Sequence, residues 1–208
     1  MTRLYAGVAV GVVAAFLGGS AWYVIANRAG DAFAQCRQGQ IAGGEIGGPF
    51  TLVNPAGETV TDAEVITKPS LVYFGYTFCP DVCPFDMQRN VEAVDILDER
   101  GIDVNPVFIS IDPDRDTPEA LGDYAHNMHP KLIALTGSAE QVKTASQAYK
   151  TYYRKQPGDD EFYLVDHSTF TYLMIPGTGF VDFFRREVTP EQMADSVACF
   201  VEAASAGK

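Results

Sequence analysis

The chain has 208 residues, a formal net charge of −12, 47% apolar residues and four cysteines. The apolar share is that of a globular protein rather than a disordered one. The acidic balance argues against nucleic-acid binding, which needs a basic patch, and four cysteines are too few for a disulfide-built scaffold.

From Leu4 to Asn27 no residue is charged. A helix over those 24 positions would span about 36 Å, against a hydrocarbon core of about 30 Å. The run is longer than the apolar region of a secretory signal, about 7–15 residues. Trp22 and Tyr23 lie near one end, where amphipathic rings settle at a membrane interface. The expectation is a retained transmembrane anchor over residues 1–28. A signal cleaved after Ala32-Phe33-Ala34 is the alternative. With the short amino-terminal tail inside, the body belongs to a single-pass protein of a bacterial inner membrane and faces the periplasm, an oxidising compartment. Residues 29–48, rich in Gly and Ala, read as a tether.

A globular domain is expected over 49–205. Phe50–Val53 and Thr59–Val60 flank the turn residues Asn54-Pro55-Ala56-Gly57 and predict a hairpin. Leu71–Gly75 is a continuous apolar run and predicts a buried strand. After it, Met87, Val91 and Val94 recur at helical spacing, so a helix is expected over 84–99, with Pro84 in its first position and Gly101 as a left-handed cap. Val104–Ile111 predicts a second strand, and Pro106 places its start at an edge or bulge. The loop Asp112–Asp116 precedes a helix capped by Asp116 or Thr117 and opened by Pro118. Leu132–Leu135 is a short strand, and Ser138 with Gln141 forms a capping box for a helix to Tyr149. Phe162–Val165 leads into Asp166-His167-Ser168-Thr169. Thr171–Ile175 and Phe180–Phe184 make a hairpin, and Thr189 with Gln192 caps the last helix. Strands alternating with helices describe a three-layer α/β domain of ordinary size.

Cys79 and Cys83 occupy the turn between the buried strand and its helix. Unpaired N–H groups and the helix dipole favour an anion there, so the turn raises the thiolate fraction. Two such thiols with flanking prolines point to redox or metal chemistry rather than to buried structural sulfur. Tyr76 and Phe78 are read as walls of this pocket. Met87, Met174 and Met193 sit at core positions, and His126 and His129 read as structural or surface residues. A peroxidase is disfavoured, because Tyr76 stands where the peroxiredoxin pattern has Thr.

Three groups of stretches together resemble the Sco/SenC (PrrC-like) family. They are Gly47-Gly48-Pro49-Phe50-Thr51-Leu52, the cysteine run Gly75 to Pro84, and Ser110-Ile111-Asp112-Pro113-Asp114-Arg115-Asp116-Thr117-Pro118. His129-Pro130, Leu135-Thr136-Gly137 and Asp166-His167-Ser168-Thr169 extend the likeness, which covers roughly 44–201. One departure is Ile175 before Pro176, where the family tends to have Asp. The resemblance implies a thioredoxin-like three-layer sandwich with an N-terminal β-hairpin. It also implies copper, as Cu(I) or Cu(II), on Cys79, Cys83 and His167; the donor types alone leave zinc open. Asp112 is similar to a family Asp that could orient a ligand, with a loop-capping carboxylate as the alternative.

The implied role is a metallochaperone for the binuclear copper centre in cytochrome c oxidase subunit II, served by a copper donor chaperone. A thiol-disulfide oxidoreductase cycling Cys79 and Cys83, kept reduced by a thioredoxin-like partner, is the competing reading. A redox or copper sensor would share the same site. Cys36 and Cys199 are left over. An even remainder in an oxidising compartment suggests a Cys36–Cys199 disulfide. A buried apolar Cys199 with Cys36 free or paired between molecules is the alternative.

Overall fold

This computed structural model describes residues 11–23, 33–37, 46–158 and 162–206. Residues 11–23 are helical (α1) and exposed throughout. Among the described residues no helix is long and apolar enough to cross a membrane. Residues 1–10 and 24–28 of the expected anchor and most of the tether over 29–48 lie outside the described residues.

The domain opens with an antiparallel hairpin, β1 (Thr51–Val53) and β2 (Thr59–Thr61), around Asn54 to Gly57. The Asn54 side chain closes that turn by accepting from the N–H groups of Ala56 and Glu58. A one-turn helix not expected from the sequence, α2 (Asp62–Val65), follows, with Thr61 and Glu64 as its capping box. Then come β3 (Ser70–Gly75), α3 (Val82–Glu99), β4 (Asn105–Ser110), α4 (Pro118–Met128), β5 (Ile133–Leu135) and α5 (Ala139–Ala148). Thr117 and Ser138 cap α4 and α5 through their hydroxyls. The chain continues through β6 (Tyr153–Lys155), β7 (Val165–His167), β8 (Thr171–Ile175), β9 (Gly179–Phe184) and α6 (Pro190–Ala206).

The main sheet has the order β5-β4-β3-β8-β9. β3, β4 and β5 are parallel, while β8 runs antiparallel to β3 and to β9. All six residues of β3 are buried, as a central strand covered on both faces requires. On one face Tyr73 and Phe108 stack, and α3 and α4 reach them through Asp86 and Tyr124. On the same face Leu71 joins Val94 and Leu97 of α3 and Val197 and Phe200 of α6. On the other face Phe74 meets Tyr149 at the end of α5 and Tyr172 of β8. This is the expected three-layer order.

One expectation is corrected and one is met. Helix α3 begins at Val82, two residues before Pro84. Proline fits there because the whole first turn lacks intrahelical N–H acceptors, not only its first position. Pro106 lies, as expected, at an end of β4 that is locally an edge, although the strand is interior further along. It is in register with Leu71 on one side, and pairing with β5 starts only at Val107. No ladder bond is therefore asked of the missing N–H.

Cys36 and Cys199 are joined, with an S–S distance of 1.99 Å and a Cα–Cα distance of 5.6 Å. Phe33 packs on Phe200 with ring centroids 5.6 Å apart, and Arg37 Nε donates to the Val181 carbonyl at 3.4 Å. The segment 33–37 is thus seated on α6 and β9, beside the end of the sheet where β3 begins.

Candidate metal centre

The turn from β3 into α3 is held from below. The buried Asp116 carboxylate accepts from the Thr77 N–H at 3.1 Å, from the Thr77 hydroxyl and from the Ser110 hydroxyl, the last two at 2.5 Å. Burial pushes the pKa of Asp116 up, and these bonds oppose it. The Cys79 N–H donates to the Tyr76 carbonyl at 3.2 Å. Asp81, the N-cap residue of α3, makes no side-chain cap bond. Instead the Cys79 sulfur accepts the Cys83 N–H at 3.4 Å, so a thiol serves an otherwise unpaired donor of the first turn.

Room for the second thiol comes from Gly75. A Cβ at that position would lie 3.0 Å from Cys83 Sγ and 2.8 Å from the Tyr73 ring. Cys83 is 2% exposed and Cys79 7%.

The third group arrives from a separate element. β6 and β7 form a two-stranded antiparallel ribbon outside the main ladder, and His167 is the last residue of β7, opposite Tyr153. The sequence predicts neither a strand at 153–155 nor one that ends at His167. Its ring stands edge-on between Tyr73 and Tyr76, with centroids 6.2 and 5.9 Å away. Nδ1–H donates to the Ser168 carbonyl at 2.8 Å, which leaves Nε2 to face Cys83 Sγ at 3.3 Å. Such a bond on one ring nitrogen sets which nitrogen is free to accept or to ligate.

The ligand atoms of Cys79, Cys83 and His167 all lie within 4.8 Å of one another. Metal–sulfur and metal–nitrogen bonds of about 2.0–2.3 Å keep ligands roughly 3.3–4 Å apart, so a small closure brings the group onto one ion. Two thiolates and one imidazole, with no carboxylate in the group, select soft or borderline ions such as Cu(I) and zinc, and the imidazole extends the range to Cu(II).

The two thiols differ sharply. The Cys83 thiol donates to Cys79, and with the N–H groups of Asp81 and Cys83 it holds the Cys79 pKa down to about 3 against the effect of burial. Cys83 is pushed up by the same bond and by burial. In the metal-free reduced protein, Cys79 should therefore alkylate at pH 5 nearly as fast as at pH 8, with Cys83 protected. Peptide mapping after iodoacetamide pulses checks this. A rate falling tenfold per pH unit below pH 8 would contradict it.

Asp112 does not reach this group. Its carboxylate accepts from the Tyr163 hydroxyl at 2.5 Å and from Arg115 Nε at 2.6 Å. The end of β4 aims it at the residues leading into β7 rather than at the thiols, so it does not orient a ligand by direct contact. Tyr76 walls the pocket and also accepts the Val165 N–H through its hydroxyl at 3.2 Å. Phe78 is 56% exposed at the rim. Met87, Met174 and Met193 are buried in the core, and His129 engages Asp95 at 3.1 Å, outside the group. Tyr73, Arg115, Asp116 and Tyr163 were not singled out from the sequence for the parts they play. A tyrosine inside an apolar strand and two acids spaced after Ser110 were the signals available.

The SCO1/SenC family model matches residues 38–202. The chain is 55% identical over 197 residues to protein SenC of Rhodobacter capsulatus, covering 94% of this chain and 89% of that protein. Among solved structures, Arabidopsis thaliana ScoI with copper bound aligns with a TM-score of 0.71 and 42% identity, over 76% of this chain and 99% of that one. Yeast Sco1 with copper bound aligns with a TM-score of 0.72 and 36% identity, over 76% and 90%. These likenesses extend to the layered, thioredoxin-type fold.

Proposed function

Because the chain belongs to the SCO1/SenC family, we propose that it is a copper-carrying assembly factor that holds one copper ion on Cys79, Cys83 and His167 and delivers it to the binuclear centre of cytochrome c oxidase subunit II. The observation that carries this reading is the group of two buried sulfurs and the half-buried His167, whose Nε2 is turned toward Cys83. The copper-bound relatives support copper over zinc as the cargo. Residues 1–28 anchor the protein in the inner membrane, and the domain works in the periplasm, where a donor chaperone loads it.

Within the site each residue has a distinct task. Cys79, already a thiolate, makes the first contact with the incoming ion. Cys83 gives up its proton as it ligates, so loading releases protons. His167 completes the set, and its imidazole matters more to Cu(II), the harder ion, than to Cu(I). A thiol-disulfide reading draws on the same Cys79 thiolate beside a protonated Cys83, the arrangement of an attacking and a resolving thiol, with a thioredoxin-like reductant upstream.

One variant separates the two readings. His167→Ala should abolish copper loading of the oxidase in cells while leaving thiol reactivity nearly intact, because disulfide exchange needs no imidazole. Oxidase activity in cells carrying His167→Ala is the measurement, and full activity would count against copper delivery.

A further inference from the structure

The two halves of the site sit on different bodies. The cysteines ride on the turn between β3 and α3, fixed by the main sheet and by Asp116. His167 rides on the β6–β7 ribbon, which shares no ladder with that sheet among the described residues. The short link from His167 to Thr171 of β8, which pairs with Tyr73, sets the distance to the thiols only in part, and side chains across the gap do the rest. Few bridge the gap. The Tyr76 hydroxyl takes the Val165 N–H. The Tyr163 hydroxyl donates to Asp112 at 2.5 Å, and Arg115 closes a triangle by donating Nε to the other Asp112 oxygen at 2.6 Å. The Arg115 guanidinium lies 3.6 Å from the Tyr163 ring centroid and 4.8 Å from that of Phe78, the neighbour of Cys79. It thus touches both bodies at once. Arg115 Nη2 is buried without a hydrogen-bond partner, and aromatic faces stand in as its electrostatic partners.

We propose that Asp112, Arg115 and Tyr163 form a clamp that positions His167 over the cysteine turn and thereby sets how strongly the site favours Cu(II) relative to Cu(I). This rests on the copper reading above. Two thiolates satisfy Cu(I) by themselves, whereas Cu(II) draws on the imidazole. A loosened ribbon therefore costs one oxidation state and spares the other. The three are positioning residues, since none lies in the ligand group.

The test uses the full-length protein with Tyr163→Phe, which keeps the ring and its burial and removes only the hydroxyl, and with Arg115→Gln. Both should weaken Cu(II) binding about 10–100-fold, the usual effect of losing a residue that supports a ligand. Cu(I) affinity should stay within about threefold, because the thiolates are untouched. The nitrogen hyperfine coupling in the Cu(II) electron paramagnetic resonance spectrum should weaken. In the metal-free protein, amide exchange at Val165 and His167 should rise at least about tenfold, with amides of β8 and β9 unchanged as a control on folding. Unchanged Cu(II) affinity and unchanged exchange in both variants would overturn the clamp. So would an equal loss of both copper affinities with general loss of protection. A wild type that binds no copper would overturn the copper reading instead, and the exchange measurement alone would then judge the clamp.

Discussion

Replacing Cys79 or Cys83 with Ser should lower copper affinity in both oxidation states by more than the roughly 100-fold that supporting residues command, because each substitution removes a soft thiolate from a three-ligand group. The double variant Cys79→Ser/Cys83→Ser should retain no copper after dialysis, read as the metal-to-protein ratio and as loss of the thiolate-to-copper absorption. The fold should survive at position 79, since a serine oxygen accepts the Cys83 N–H at least as well as sulfur does. Position 83 is harsher, because a hydroxyl would be buried beside Tyr73 and Gly75. Equal copper retention by wild type and the double variant would end the assignment of these residues as ligands.

The second large effect concerns stability. The Cys36–Cys199 bridge spans 163 positions, a loop worth about 5 kcal/mol in the chain-entropy model, and loss of native bridges costs about 2–5 kcal/mol in measurements. Cys36→Ser/Cys199→Ser should therefore unfold about 4–20 °C lower than wild type, while binding the same amount of copper. The bridge belongs to the cluster around Leu71, Val197 and Phe200, whereas the ligand cysteines belong to the other core cluster. Thermal unfolding with and without reductant checks the expectation, and matching transitions would refute a stabilising bridge.

Which features were legible follows from where the signal was local. The apolar run at 71–75, the Thr117 and Ser138 caps and the alternation of strands with helices each act through neighbouring residues, and all lie where the sequence puts them. The turn carrying Cys79 and Cys83 was readable for the same reason. β6 was not, because Tyr153-Arg154-Lys155 is short and two of its three side chains are exposed, so no alternation marks it. The start of α3 was set late, because proline is compatible with any position of the first turn. The route by which Asp112 connects to the site was not legible, because its partner Tyr163 lies 51 positions away and no local pattern records a contact of that kind. Gly75 gave no hint of its purpose, which is the absence of an atom beside Cys83.

The bridge to α6 also governs how far the site can stand from whatever holds the amino terminus. The first described contact of the chain with the domain is made by residues 33–37, seated where β3 begins, and the thiols lie past its other end. Between Arg28, the end of the proposed anchor, and Phe33 there are four residues, at most roughly 14 Å of fully extended chain. Without the crosslink only noncovalent contacts such as Phe33 on Phe200 and Arg37 on Val181 would hold that seat, and once they let go the first attachment would be near Ile46, which allows roughly 60 Å. If α1 lies in a bilayer, the disulfide shortens the leash by more than half and turns the copper-bearing end outward. The protein can then meet a recipient centre only within a shallow layer above the lipid. Reducing the bridge would deepen that layer without altering the site itself.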